Sequence, residues 1–252
     1  MTSERLRRLR ALGIESWKLR GSAPAEAESL PASAAPPAGD FFVSEIAAAS
    51  PAPAVAAPAV PQDWDGLRAM VSACRRCRLC DARTQTVFGV GAPRAPLMVV
   101  GEGPGADEDA QGEPFVGRAG KLLDEMLRAI GRSRQESEPD KAVFIANVVK
   151  CRPPQNREPA EDEAEACRSY LEQQLRLVQP RLIVALGRVA AQRLLVTDAA
   201  LSKLRGQMHR WGPEGTPLFV TYHPAYLLRS PGEKVKSWED LKLIHRFLRS
   251  TP

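Results

Sequence analysis

The chain has 252 residues and a formal net charge of +5, with an isoelectric point near 9.1. That mild basicity favours a polyanionic partner such as nucleic acid without demanding one. No run of about 18 apolar residues is present and the N-terminus lacks the apolar stretch of a secretory leader, so neither a membrane span nor export is expected. In the reducing cytosol this implies, five cysteines point to metal or cluster ligation rather than to disulfides.

Residues 1–20 place Leu6, Leu9, Leu12 and Ile14 near helical spacing among five arginines, which predicts an amphipathic N-terminal helix or arm. Charge on such a helix is usually solvated surface, so local packing is the plainer reading and a protein-binding motif the sharper one. Residues 21–61 hold 15 Ala and 8 Pro but no Lys or Arg. That composition offers little bulky apolar material to offset the entropy of ordering, and predicts a disordered linker. Residues 62–252 carry every cysteine and histidine and are expected to form the single folded domain.

Within that domain four short apolar runs, 97–100, 143–148, 182–185 and 218–221, read as buried parallel strands. Helical patterns at 118–130, 158–178 and 188–195 separate them, and another at 237–249 follows the last. The alternation predicts an α/β fold, a three-layer sandwich with a short central parallel four-stranded sheet flanked by helices. Ligands of such sheets bind beyond the carboxyl ends of the strands. There the sequence has GEGPGADED after the first run, NVVKCRPPQNR after the second and YHPAYLLRS after the fourth. Three distant segments can therefore converge on one crevice.

Taken singly, the motifs differ in weight. Gly101-Glu-Gly-Pro-Gly105 is no dinucleotide loop, because Pro104 breaks the pattern and no glycine-rich turn opens directly into a helix. The cysteines read C-x2-C-x2-C at Cys74, Cys77 and Cys80, and C-x15-C at Cys151 and Cys167. Four thiolates suit either zinc or an iron–sulfur cluster, and spacing alone does not choose between them or exclude buried free thiols. His223 ends the fourth run before Pro224, where a structural and a chemical role are equally open. Phe115 lies in a turn-rich stretch and either faces solvent or caps the core. Asn147 ends an apolar strand, where a buried amide needs partners or a ligand that supplies them. Tyr226, Leu227 and Leu228 are apolar residues in an expected exposed turn. A wedge filling the gap left by a displaced base, with Arg229 on phosphate, competes with a hydrophobic staple into the next helix.

Together these segments resemble the type 4 uracil-DNA glycosylases, the iron–sulfur branch of the uracil-DNA glycosylase superfamily. The likeness runs from about Leu67 to about Leu248 through CxxC, VGEGPGADEDAQGEPFVGRAGKLLD, NVVKCRPPQNREP, EACRSYL, Arg205-Gly206 and HPAYLLR. It implies a [4Fe-4S] cluster on Cys74, Cys77, Cys151 and Cys167, with Cys80 left over. It also implies a uracil pocket of Glu102, Gly103, Phe115, Asn147 and His223, supported by Glu108 and Asn156. The implied activity is hydrolysis of the N-glycosidic bond of uracil in single strands, U·G and U·A pairs, initiating base excision repair. The implied setting is a monomer in the bacterial cytosol and nucleoid, with uracil-containing DNA as partner.

Those roles suit the chemistry. A base must leave the stack to be reached. Phe115 would stack on it, Asn147 would accept from N3–H and donate to O4, and His223 would stabilise charge developing near O2. Glu102 and Glu108 both remain candidates for orienting water or stabilising the sugar cation. Superfamily members that trap the abasic product covalently use a histidine in an inserted loop, whereas KCRPPQNRE at 150–158 has neither histidine nor insertion. A non-catalytic cluster-bearing DNA-binding module is the other rival.

Overall fold

The computed structural model describes residues 60–250. The expected arm at 1–20, and all of the linker at 21–61 except its last two residues, lie outside the described residues.

Helix α1 (Trp64–Ser72) opens the described chain, started by the Asp63 side chain accepting the Gly66 N–H. A short α2 (Leu79–Ala82) follows the first two cysteines. Strands β1 (Val90–Gly91) and β2 (Leu97–Gly101) lead to α3 (Ala106–Gln111) and α4 (Arg118–Ala129). Next come β3 (Val143–Asn147), a 3-10 turn at Pro154–Asn156, α5 (Glu161–Val178), β4 (Leu182–Leu186), α6 (Gly187–Leu195) and α7 (Leu201–Leu204). The antiparallel pair β5 (Met208–Trp211) and β6 (Thr216–Thr221) precedes α8 (Pro224–Arg229). A 3-10 turn at Pro231–Glu233 then leads into α9 (Lys234–Ser250).

The sheet order is β1-β3-β2-β4-β6-β5. Its four central strands are parallel, as the apolar runs predict, because strands covered on both faces need no polar alternation. Two antiparallel edge strands widen the sheet to six. One face carries Met98, Val100, Phe144, Ala146, Ile183 and Ala185 beneath α1, α5, α6 and α7. The other carries Leu97, Val99, Val143, Ile145 and Val184 beneath α4, α8 and α9. This alternation of faces along each strand is the three-layer sandwich.

One expectation fails. Residues 224–229 form helix α8 rather than an exposed turn, because Pro224 occupies a first helical position and His223 caps it. Helical periodicity then turns Leu227 inward, where it is 1% exposed and packs with Leu123, Leu127 and Ile244. Leu227 is thus a core residue and no DNA wedge; the staple reading is the right one for it. Leu228 stays half-buried and Arg229 exposed. Among the described residues no helix is long and apolar enough to cross a membrane.

Candidate active site

The ladder between β2 and β3 sets Gly101 beside Asn147. Both strands then continue as loops whose backbones stay paired, Val148 N–H to Gly101 O at 2.9 Å and Val149 N–H to Glu102 O at 3.2 Å. Asn147 is 2% exposed, and among the described residues its Oδ1 has no hydrogen-bond partner. A buried, unpaired acceptor costs about 1–3 kcal/mol, which marks Asn147 as a group suited to accept from a ligand. Gly101 makes room for it: a Cβ there would lie 2.4 Å from Asn147 Oδ1 and 2.5 Å from Phe115 Cζ. The amide and the aromatic ring edge therefore meet at one point above the end of β2.

Phe115 is 6% exposed and has φ +56°, a left-handed conformation that costs a non-glycine residue on the order of 1 kcal/mol. Its ring lies 5.5 Å from the His223 ring at 33°. Of the two open readings for Phe115, capping the core is the one found.

His223 arrives from the end of β6. Its Nδ1 accepts the Ala225 N–H at 3.1 Å, so the ring proton sits on Nε2 and that nitrogen is a donor. Burial first, then the positive charge of Arg229, lowers its pKa to about 4. The imidazole is neutral at physiological pH.

The two glutamates differ. Glu108 Oε2 accepts the Gly105 N–H at 3.0 Å, while Oε1 accepts those of Val116 at 3.0 Å and Gly117 at 3.1 Å. Its carboxylate is a clamp on the loop that carries Phe115, and with both oxygens taken it is not free to orient water. Glu102 is half-buried, and no hydrogen bond holds its carboxylate among the described residues. Burial, and then the nearby Glu158 carboxylate, raise its pKa against the opposing effect of Arg188. Arg188 Nη2 donates to both Glu158 oxygens, at 2.5 and 2.7 Å. Gly103 packs under the next loop, where a Cβ would come 2.8 Å from Val149 Cγ2. Asn156 is exposed, its Oδ1 accepts Arg152 Nε at 2.8 Å and its N–H donates to the Pro153 carbonyl at 3.0 Å, both within its own loop.

This chain matches the uracil-DNA glycosylase superfamily over residues 88–242. It is 42% identical over 190 residues, 73% of this chain and 92% of the relative, to a type-4 uracil-DNA glycosylase of Archaeoglobus fulgidus. The chain belongs to the type-4 uracil-DNA glycosylase family. A type-4 uracil-DNA glycosylase of Thermotoga maritima is 40% identical over 182 residues, 71% of this chain and 91% of the relative. The likeness extends more weakly to a type-5 uracil-DNA glycosylase of Thermus thermophilus, 34% identical over 149 residues, 54% of this chain and 68% of the relative.

On the far side of β3 from the pocket, Cys74, Cys77, Cys80, Cys151 and Cys167 line one small cavity with Arg83 and Lys150. Arg83 Nη1 donates to Cys151 Sγ at 2.9 Å and its Nη2 to the Cys74 carbonyl at 2.8 Å. The Lys150 N–H points at Cys167 Sγ at 3.3 Å. N–H groups directed at sulfur, with two cations beside the thiols, suit a thiolate-bound group of net negative charge. Cys80 differs, because its Sγ turns to Asp81 Oδ1 at 3.4 Å on the exposed side. Burial pushes Cys167 up to about 12, so an ionised sulfur there depends on a bound metal. Among the described residues no three His, Cys, Asp or Glu side chains converge closely enough for one metal ion.

Two features escape any sequence reading. Glu163, whose side chain is fully buried, takes Arg157 through two bonds of 2.6 and 2.7 Å and Arg78 Nε at 2.8 Å. Since Arg78 follows Cys77 and Glu163 precedes Cys167, this pairing ties the two halves of the cysteine set together. The second is buried Lys150, whose Nζ donates to the Asn147 carbonyl at 2.8 Å and to Gln174 Oε1 at 2.6 Å. Neither is marked by a motif, because the bonds that join it to other elements, Glu163 to Arg78 and Lys150 to Gln174, span 85 and 24 residues.

Proposed function

We propose that this protein hydrolyses the N-glycosidic bond of uracil in DNA, releasing uracil and leaving an abasic site, and so initiates base excision repair in the cytoplasm. The observation that carries this reading is the unpaired Asn147 Oδ1, buried beside the Phe115 ring and the His223 donor. A uracil turned out of the stack supplies the missing N3–H to Asn147, which in turn donates to O4. Cytosine presents the reverse pattern, and such reversal at a buried amide costs discrimination on the order of 10⁴.

As the C1′–N1 bond breaks, its electron pair moves onto the uracil ring, and the neutral His223 donates from Nε2 toward O2 where charge collects. With Glu108 occupied by backbone N–H groups, Glu102 is the carboxylate left to face the sugar cation and the water that captures it. The uracil anion leaves, water adds its oxygen to C1′ and passes its proton to the Glu102 carboxylate, which releases it to solvent, and the uracil anion takes up a proton there. Arg229 and Leu228 stand beyond His223 for contact with the DNA strand.

Cys74, Cys77, Cys151 and Cys167 would hold a [4Fe-4S] cluster. When bound, that cluster supplies a structural staple, since hydrolysis has no redox step. The protein acts as a monomer on this reading.

The test is incubation of the purified protein with a labelled uracil-containing strand, then alkaline cleavage and a denaturing gel. Cleavage at uracil that needs alkali, is lost in Asn147→Ala and leaves no persistent adduct supports turnover. An intact strand, or a stable protein–DNA adduct, would overturn it in favour of a binding module.

A further inference from the structure

Phe115 has no glycine's freedom, yet its backbone is left-handed, so its position must be enforced by neighbours. On one side Glu108 holds the N–H groups of Val116 and Gly117. The other side is gripped by a residue that nothing above assigns to the reaction. Arg134, in the loop between α4 and β3, donates Nη1 to the Pro114 carbonyl at 2.6 Å and Nη2 to the Phe115 carbonyl at 3.1 Å.

That guanidinium is itself fixed. Its Nε and Nη2 each lie 2.8 Å from Asp124 Oδ1 on α4, and its side chain is only 9% exposed. The same helix presses on the same carbonyl, since a Cβ at Gly120 would fall 1.7 Å from the Phe115 oxygen. Carbonyls on one side and N–H groups on the other leave the peptide units around Phe115 little room to rotate. A planar fork that reaches two successive carbonyls while anchored by a third bond is a task for arginine, because an ammonium has no such geometry.

We infer that Arg134 is a positioning residue, which fixes the plane of the Phe115 ring and thereby the stacking surface offered to the base. This rests on the reading of Phe115 as the uracil-stacking group. Arg134 touches no substrate and acts only through Phe115, so its loss weakens binding of the displaced base in ground and transition states alike. The effect falls on KM more than on kcat.

The experiment is a double-mutant cycle on the iron-loaded, full-length protein, using Phe115→Ala, Arg134→Gln and the pair, with steady-state kinetics on a uracil-containing strand. Arg134→Gln is expected to lower kcat/KM ten- to a hundredfold, mainly through KM, and to cost less than a further threefold in the Phe115→Ala background. Arg134→Lys, which keeps a single contact, should recover part of the loss. Multiplicative losses in the double variant, or an unchanged KM in Arg134→Gln, would overturn the inference while leaving the pocket reading intact. A Phe115→Ala protein with ordinary kinetics would sink both, and is told apart by its own arm of the cycle. Should Arg134→Gln fail to fold, Asp124→Asn frees the guanidinium from its anchor and is run through the same cycle, with the same outcomes deciding.

Discussion

Replacing Asn147 by alanine sets stability and catalysis in opposite directions. Among the described residues the Oδ1 atom is buried with no partner, a cost of about 1–3 kcal/mol that alanine removes. The small void left beside Gly101 returns about 1 kcal/mol of loss. The net is a gain of about 1 kcal/mol, which for a domain of this size raises the melting temperature by about 2–4 °C. Catalysis loses a bond to N3–H worth about 1–1.5 kcal/mol and a charge-assisted bond to O4 worth about 1.5–3 kcal/mol. A sum of about 2.5–4.5 kcal/mol at 1.36 kcal/mol per decade predicts a rate lower by about 10²- to 10³-fold. Single-turnover release of uracil and thermal melts of the iron-loaded protein at fixed pH and salt measure the two quantities. A melting temperature lower by more than about 4 °C would show that the amide has partners in the free protein. A rate loss under about tenfold would show that the amide does not read the base.

Three further outcomes follow from the same geometry. Gly101→Ala forces a Cβ to within 2.4 Å of Asn147 Oδ1 and 2.5 Å of Phe115 Cζ, so uracil release should fall by about 10² or more in a single-turnover assay; activity within threefold of the parent would mean the two groups are not held in place there. His223 should titrate near pH 4 rather than 6.5 when its ring nitrogens are followed by NMR. The unfolded chain then takes the proton first, so stability falls by about 3 kcal/mol as pH drops from 6.5 through about 4 and is unaffected above that window. A midpoint near 6.5 would refute the burial argument. Glu163→Gln weakens the tie to Arg157 and Arg78 and should speed loss of visible absorbance to an iron chelator about tenfold; in the parent the Arg157 guanidinium holds Glu163 down at about 2, so this tie persists until pH falls through that value. Unchanged chelation kinetics would show that the pairing does not guard the thiols.

The four central strands were legible because a parallel strand covered on both faces must be apolar throughout, and runs such as 97–100 and 182–185 have few other uses. Strand β5 was not, since Met208 and Arg210 are exposed and its pairing comes entirely from β6. Helix α8 could have been read from Pro224 at its start, but the burial of Leu227 depends on α4 and α9, and no local pattern encodes that. Asn147, Phe115 and His223 converge because each follows or abuts a carboxyl end of the sheet. The Arg134 grip was invisible: an arginine in the polar segment RSRQESEPDK looks like solvated charge. Glu108 failed for the opposite reason, since its type and place suit catalysis while its oxygens are taken by three backbone N–H groups.

The left-handed backbone at Phe115 also limits how this pocket can drift over generations. Substitution by valine, isoleucine or threonine meets a steric penalty there before any question of base contact arises, because branching at Cβ is poorly tolerated at positive φ. Tyrosine keeps the fold and the ring, while asparagine or glycine relieves the backbone and gives up the stacking face. The accessible neighbours in sequence space are therefore aromatic or small and turn-forming. A lineage that abandons the ring at this position reaches a wider, less selective cleft more readily than an aliphatic one.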